Sequence, residues 1–451
     1  MKPTQFGWSV GSFALFTLLT ACQPKPAQTG SETSVAVTND TLTLPAPFAT
    51  ESAKNFSNVI GWPSGKMPTA PAGFEVSEFA GDLRNPRWVY VLANGDVLVA
   101  ESQTEKKGVK KIAAKVTGQA KSGAEGESAN RITLLRDSNG DGKPDVREVF
   151  LQDLNQPFGM LVVGNTFYVA NTDGVMTFPY QNGQTKITAT GKKILELPAG
   201  GYNNHWTRNL LANADGSKIY VSVGSGSNVG ENGMEYEVRR ANILEINPDG
   251  SGERIFASGL RNPVGMDWAP GTMGNSKPTL WVAVNERDEL GDDLVPDYIT
   301  GVKEGAFYGW PYAYYGPNED PRREGERPDL VQKTMAPDVP LGAHTASLGL
   351  AFYTDRAFPE KYRNGAFVGQ HGSWNRSTLS GYKVVFVPFK DGKPAGKPED
   401  FLTGFVANTD SREVYGRPVG IFRVADGSML VTDDSGGKIW RVRATGSAAQ
   451  Q

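Results

Sequence analysis

Three histidines stand in the chain of 451 residues, His205, His344 and His371, each among Gly, Asn, Trp and Arg near the predicted start of a strand. An imidazole that titrates near neutrality is suited to take a hydroxyl proton during an oxidation. His205 has the densest company, in Gly200-Gly201-Tyr202-Asn203-Asn204-His205-Trp206-Thr207-Arg208-Asn209-Leu210. A lone histidine is more often a structural hydrogen-bonding group than a base, so it is the shared setting that makes these three candidates.

A different chemistry is written in Asp137-Ser138-Asn139-Gly140-Asp141-Gly142-Lys143-Pro144-Asp145-Val146-Arg147-Glu148, with side-chain oxygens at positions 1, 3, 5, 9 and 12 and Gly at 6. That is the register in which a tight loop wraps a hard cation such as Ca²⁺. Asp137, Asn139, Asp141, Asp145 and Glu148 give the side-chain oxygens, and Lys143 holds the seventh place. The flanks, Ile132 to Leu135 and Val146 to Leu151, read as strands. The loop is therefore expected on a hairpin, in a structural role. The alternative is a polar Asn-Gly/Asp-Gly turn without metal.

The elements that must position these groups come from an internal repeat. A turn, often with Pro, leads to a strand of apolar residues ending in small or polar ones. The copies run from Leu83-Arg84-Asn85-Pro86 to Val97–Glu101, from Leu154-Asn155-Gln156-Pro157 to Phe167–Asn171, and from Trp206-Thr207-Arg208 to Ile219–Val223. They continue from Leu260-Arg261-Asn262-Pro263 to Leu280–Val284, from Ser347–Leu350 to Phe367–His371, and from Gly416–Val419 to Met429–Asp433. A spacing of about 50 to 85 residues leaves room for a four-stranded sheet per copy, so the fold class expected is all-β, a six-bladed β-propeller. Gly 53 and Pro 29 agree, because both interrupt helices and supply turns. In a propeller the inner-strand ends face a central funnel, where the histidines would meet a ligand.

Basic and acidic side chains number 46 and 49, which leaves no field to concentrate polyanions, so nucleic acid is not an expected partner. The chain opens with Lys2 and an apolar run from Phe6 to Thr20, too short to span a bilayer and of signal-peptide form. Leu19-Thr20-Ala21-Cys22 resembles a bacterial lipobox, which makes Cys22 a lipidation site. It is the only cysteine, so no disulfide can form within the chain. Residues 1–22 are thus expected as a lipoprotein signal and 23–55 as a flexible tether, with 56–445 as the propeller domain. Gln23 after the cysteine points to the outer membrane, facing the periplasm.

Five phrases carry a family resemblance: His205 to Leu210, Gly259 to Gly265, Asn285 to Asp293, Tyr308-Gly309-Trp310-Pro311, and Gly369 to Arg376. In this order they resemble the sorbosone dehydrogenase branch of the pyrroloquinoline-quinone (PQQ) dependent glucose/sorbosone dehydrogenases. The resemblance covers most of the chain from Phe74 to Arg443. It implies a six-bladed propeller that binds PQQ with Ca²⁺ at the funnel mouth. His205 would be the base that removes a substrate hydroxyl proton as hydride passes to the quinone. Arg261 would face the quinone oxygens, where it would stabilise negative charge on the ring. Asn262, Glu286, Arg287, His371, Trp374 and Arg417 would be further cofactor contacts, Arg417 against a cofactor carboxylate. Carbonyls between Asn285 and Asp288 would help hold the Ca²⁺. The sequence departs from the glucose-oxidising relatives in two places. Ser225 stands where an acid orients the catalytic histidine, and Val419 stands where a second carboxylate-binding arginine lies.

The expected function is a membrane-tethered quinoprotein that oxidises an aldose or a sugar-derived aldehyde such as sorbosone and passes electrons to an acceptor. Two rivals share the architecture: a Ca²⁺-dependent lactonase or esterase, and a propeller that binds glycan or protein without catalysis.

Overall fold

The second strand of each repeat is a run of β-branched, aromatic and small residues with no polar face. Val97–Glu101, Ile219–Val223 and Met429–Asp433 are buried at every position. Such a strand must be covered on both sides, and in this chain the cover is a neighbouring sheet. A computed structural model describes residues 33–37, 40–105, 119–123, 126–271 and 278–446. Among the described residues, six sheets have four or more strands.

Sheet 1 comprises Pro86–Val91, Val97–Glu101, Arg131–Arg136 and Val146–Leu151; sheet 2 comprises Met160–Val163, Thr166–Asn171, Gly174–Pro179 and Lys192–Glu196. Sheet 3 is Leu210–Ala212, Ile219–Val223, Asn242–Ile246 and Arg254–Ser258; sheet 4 is Asn262–Ala269, Thr279–Asn285, Pro296–Gly301 and Val339–Ala343. Sheet 5 runs Ser347–Tyr353, Gly365–Gln370 and Lys383–Lys390, the last pairing with both Lys393–Pro394 and Glu399–Leu402. Sheet 6 takes Pro418–Arg423, Met429–Asp433 and Lys438–Ala444 and adds Phe74–Ala80 from the other end of the fold. Strand pairing within all six sheets is antiparallel. Each repeat copy falls on the first two strands of one sheet.

The first strands touch in sequence, sheet 1 to 2, 2 to 3, and on to sheet 6, which returns to sheet 1. Among the described residues the architecture is therefore all-β and propeller-like, with one short α-helix at Pro328–Lys333. Apolar layers fill the wedges between sheets, as where Trp281 and Ile299 of sheet 4 meet Phe352 and Val368 of sheet 5. Near the middle the first strands approach closely. A Cβ on Gly349 would lie 2.2 Å from the Val419 carbonyl oxygen, so only glycine fits there.

The tether expected up to residue 55 needs correction. Thr33–Val37 and Asp40–Leu44 pair as a hairpin, Leu44 is 1% exposed in a core shared with Leu290 and Leu294, and the Phe48 amide donates to the Leu290 carbonyl at 2.7 Å. Composition made the segment look soluble and free. Its alternating Leu42 and Leu44 nevertheless find an apolar surface. Cys22 and the rest of residues 1–32 lie outside the described residues.

Candidate active site

At one end of the sheets the loops that precede first strands and follow second strands surround a cavity of about 920 Å³, a volume in the range of small-molecule sites. His205 and Trp206 come from the loop entering sheet 3, Arg261 from the residue before sheet 4, and Glu286 and Asp288 from the loop after Thr279–Asn285. His344 follows the last strand of sheet 4, and Trp374 lies beyond the second strand of sheet 5. Amides of Asn155, Gln156, Asn204 and Asn228 share the wall. Four of the lining residues, Gln156, Glu289, His344 and Ala346, hold positive φ values of 47°, 69°, 58° and 51°, a conformation that side chains other than glycine resist.

His205 is oriented from behind. Its Nδ1 lies 2.9 Å from the Ser225 carbonyl oxygen and 2.9 Å from the Ser225 hydroxyl, so Nδ1 carries the proton and Nε2 is left as an unprotonated acceptor. Burial, and next the positive charge of Arg261, push the imidazole down to about 3, which keeps it neutral. Close packing sets the ring's position: a Cβ on Gly224 would meet both the His205 Cβ and the Asn262 Oδ1 at 2.6 Å. Arg208, fully buried, donates to the carbonyls of His205 at 2.6 Å and Pro198 at 2.8 Å and so pins the loop.

Arg261 is 4% exposed and donates to the Asn228 carbonyl (3.1 Å), the Asn228 side chain (2.9 Å), the Glu286 carbonyl (2.6 Å) and Asp288 Oδ2 (2.8 Å). On the far side of Asp288 lies His344, whose Nδ1 is 3.4 Å from Oδ1 and whose Nε2 donates to the Gly291 carbonyl at 2.8 Å. Burial opposes charge on both, yet for Asp288 the Arg261 charge wins and holds the carboxyl at about 2. For His344 burial is likewise outweighed, by the hydrogen bond and charge of Asp288, and its pKa is raised. The result is a carboxylate between a guanidinium and an imidazole at the cavity wall. Asp288 and Asn228 were not singled out from the sequence, and His344 was noticed only for its rarity. The signal available was Arg261 itself, because a buried guanidinium requires a carboxylate within reach.

Glu286 is more exposed to the site chemically than sterically. One carboxyl oxygen accepts from the Arg287 amide at 3.0 Å, while Oε1 is buried without a partner, and burial pushes the group up to about 7. Asp297 beside it accepts from the amides of Glu286 and Ser347, each at 3.0 Å.

Four residues expected at the cofactor do not line the cavity. Asn262 lies beneath it and donates to Asn285 Oδ1 at 3.2 Å. Arg287 is turned into an ion pair with Asp320 at 2.5 Å, both side chains 1% exposed. His371 donates to Asp434 at 2.9 Å, and Asp434 also takes Arg87 at 2.6 Å. Arg417 spends its guanidinium on the carbonyls of His371 (2.9 Å), Gly372 (2.8 Å) and Ser122 (3.3 Å). For Arg287, His371 and Arg417 burial is met by charged or carbonyl partners inside the protein, whereas Asn262 Oδ1 is buried without one.

The expected Ca²⁺ loop does form the hairpin turn between Arg131–Arg136 and Val146–Leu151. Asp137 accepts from the amides of Gly140 (2.8 Å), Asp141 (3.2 Å) and Gly142 (2.7 Å), and Asp145 from the Ser138 amide at 2.9 Å. Asn139 and Asp141 bond to one another, Lys143 gives its amide to Asp141, and Glu148 is exposed on the following strand. The motif's oxygens thus serve the turn. Among the described residues no group of three or more His, Cys, Asp or Glu is arranged to hold a metal ion.

Comparison with known proteins adds the lineage. An uncharacterized protein of Borreliella burgdorferi is 32% identical over 301 residues, 64% of this chain and 76% of that one. A pyrroloquinoline quinone-dependent pyranose dehydrogenase of Coprinopsis cinerea is 24% identical over 428 residues, 82% of this chain, which spans about half (54%) of that longer protein. The holo PQQ domain of the Coprinopsis pyranose dehydrogenase superposes with a TM-score of 0.65 at 20% identity, covering 86% of this chain and all (100%) of the domain. The calcium structure of the Trichoderma reesei Carbohydrate-Active Enzymes Family AA12 protein gives 0.67 at 18%, covering 87% and 99%. At these identities the superpositions speak to the fold. A family model described as TrAA12-like matches residues 68–297 and 324–445, which take in strands of all six large sheets, His205, Arg261 and Asp288, and the chain belongs to that family.

Proposed function

We propose that this chain is a PQQ-dependent oxidoreductase that acts on a sugar from a six-bladed propeller, with His205 as the base. One observation carries the reading: a neutral imidazole whose Nδ1 is committed to Ser225 presents an unprotonated Nε2 to a cavity of about 920 Å³ walled by amides and carboxylates. The Coprinopsis relatives, a PQQ-dependent pyranose dehydrogenase and its holo PQQ domain, support the cofactor and the substrate class.

The residues fit such a group. Glu286 offers a buried carboxyl oxygen without a partner, the hard donor that Ca²⁺ takes, and Arg261 brings positive charge to the same wall. Bound there, PQQ supplies a two-electron acceptor for hydride. The chain's own residues supply the rest. His205 Nε2 takes the hydroxyl proton, and the Ser225 carbonyl and hydroxyl, already bonded to Nδ1–H, stabilise the imidazolium that forms. Asp288 holds Arg261 in place, and His344 holds Asp288. The amides of Asn155, Gln156 and Asn204 provide the donors and acceptors that a polyol needs.

Within this reading the substrate is an aldose or a sugar-derived aldehyde such as sorbosone, and electrons leave to a separate acceptor. The chain works on the periplasmic side of a membrane, held through lipidated Cys22. Among the described residues no helix is long and apolar enough to cross a bilayer. The test is reconstitution of the full chain with PQQ and Ca²⁺ followed by anaerobic addition of aldoses. Bleaching of the quinone absorbance by sugar is expected; absence of PQQ binding overturns the proposal. Mass spectrometry of the exported protein tests the anchor, which an unmodified Cys22 would rule out.

A further inference from the structure

The loop that orients His205 is itself held by a buried acid. Ser225 is fully buried, and its hydroxyl donates to the Ser227 carbonyl at 2.7 Å, which leaves its lone pairs for the His205 Nδ1–H at 2.9 Å. Its own amide donates to the Arg261 carbonyl at 2.8 Å, so this loop touches both candidate site residues. Behind it stands Glu237, 6% exposed, at the end of the short 3₁₀ turn Met234–Glu237. One carboxylate oxygen accepts from the Gly226 amide at 2.7 Å and the other from the Ser227 hydroxyl at 2.5 Å. The loop is also tied to the histidine's own segment, because the Asn204 amide donates to the Gly226 carbonyl at 3.0 Å.

The Gly226 amide requires an acceptor at one carboxylate oxygen, and the Ser227 hydroxyl, which itself accepts from the Gly230 amide at 3.1 Å, gives its hydrogen to the other. Glycine at 226 is part of the fit: a Cβ there would lie 2.8 Å from the Tyr202 carbonyl and 3.3 Å from Glu237 Oε1. Nearby Arg240 donates to Asn203 at 2.8 Å, which braces the residues just before His205 from the same side.

We propose that Glu237 is a positioning residue for His205: through Gly226 and Ser227 it fixes the loop whose Ser225 holds the imidazole in its Nδ1–H tautomer. The inference deepens the reading of His205 as base and rests on it.

The test uses the full chain with ¹⁵N-labelled histidine. With only three histidines, the ring nitrogens of each can be assigned by loss of signal in single variants. Wild-type His205 is expected to show a protonated Nδ1 and a free Nε2, without cofactor present. Glu237→Gln should move His205 toward a mixture of tautomers. In the reconstituted protein it should lower kcat on the order of ten- to a hundredfold, with KM changed much less. Should that variant not fold, Ser227→Ala removes one of the two bonds to the carboxylate and is read the same way. An unchanged His205 tautomer in both variants overturns the proposal, as does wild-type turnover in Glu237→Gln when His205→Ala is slow. A tautomer shift in a protein whose His205→Ala form reduces PQQ normally leaves the positioning intact and overturns His205 as the base.

Discussion

The two sides of the molecular end that carries the cavity use the same residue types to opposite effect. On the side of sheets 3 and 4, His205 and Arg261 lie at the cavity wall, one with a free nitrogen. On the side of sheets 5 and 6, His371 and Arg417 are buried at 6% and 4% exposed, the histidine deeper than the half-buried His205, and neither lines the cavity: Asp434 takes the histidine and three carbonyls the arginine. A histidine or arginine is chemically available only where it opens onto the cavity, as His205 and Arg261 do and His371 and Arg417 do not. The first side is therefore read as reactive and the second as a brace.

The sharpest way to break this contrast is at the histidines. His205→Ala should bind PQQ with Ca²⁺ nearly as wild type yet be reduced by sugar about a hundred- to ten-thousandfold more slowly in anaerobic stopped flow, the range of a positioned base. His371→Ala should keep its rate per folded molecule. Equal losses in the two would erase the distinction.

The arginines come next. Arg261→Ala strands Asp288 at the cavity wall and should cost about 3 kcal/mol in denaturant unfolding while also weakening cofactor binding. Arg417→Ala leaves buried carbonyls unmatched and should cost about 2 kcal/mol, with cofactor affinity unchanged in titrations. If Arg417→Ala loses PQQ as severely as Arg261→Ala, the brace reading fails.

Acid should reveal what the two sides share. His205 is pushed down to about 3 and His371 to about 4, in both cases first by burial and then by a neighbouring arginine. A histidine neutral in the folded state and protonated when unfolded contributes stability above its ordinary value of 6.5, and that contribution is lost as pH falls toward the folded values. Melting temperature should thus fall between pH 6.5 and 4 in wild type and fall less in His205→Asn and in His371→Asn, as measured by calorimetry on the cofactor-free protein. A melting temperature flat across that range would show the imidazoles to be less buried than described.

The smallest effect belongs to the hairpin turn, away from both sides. Asp137→Ala removes the acceptor for three amides and should cost about 1 kcal/mol, the same with Ca²⁺ as with chelator. A loss seen only with Ca²⁺ would return the loop to the cation-binding reading.

How much of this was legible in the chain follows from which forces are local. The repeat located the first two strands of each sheet because a strand buried on both faces must be continuously apolar, as in Val97–Val99 and Ile219–Val221. The outer strands carry no such mark; Lys192–Glu196 and Arg254–Ser258 are half exposed and mixed in composition. Nor does any local pattern announce that Phe74–Ala80 pairs with Lys438–Ala444. At the site, residue type was readable and direction was not. His205, Arg261, Glu286 and Trp374 line the cavity, whereas Arg287 and Arg417 are drawn off by Asp320 and by backbone carbonyls far away in sequence. Asp288 lay within a recognised phrase, but its role appears only when Arg261 is set beside it.

The pairing that completes sheet 6 also sets the order of events in synthesis. Phe74–Ala80 emerges first and must wait for Lys438–Ala444, more than three hundred and fifty residues later, as the Lys438–Glu78 ion pair with its separation of 360 makes plain. Until then Phe74–Ala80 lacks the neighbour it hydrogen-bonds to, and Pro86–Val91 lacks the Pro418–Arg423 strand it packs against. Such long-range closure is slow, and an exposed strand invites pairing with other chains in the interval. A ribosome paused before residue 438 would hold a chain whose first-made edge is still open, so this protein stays vulnerable to mispairing for as long as synthesis takes to pass from residue 80 to residue 444.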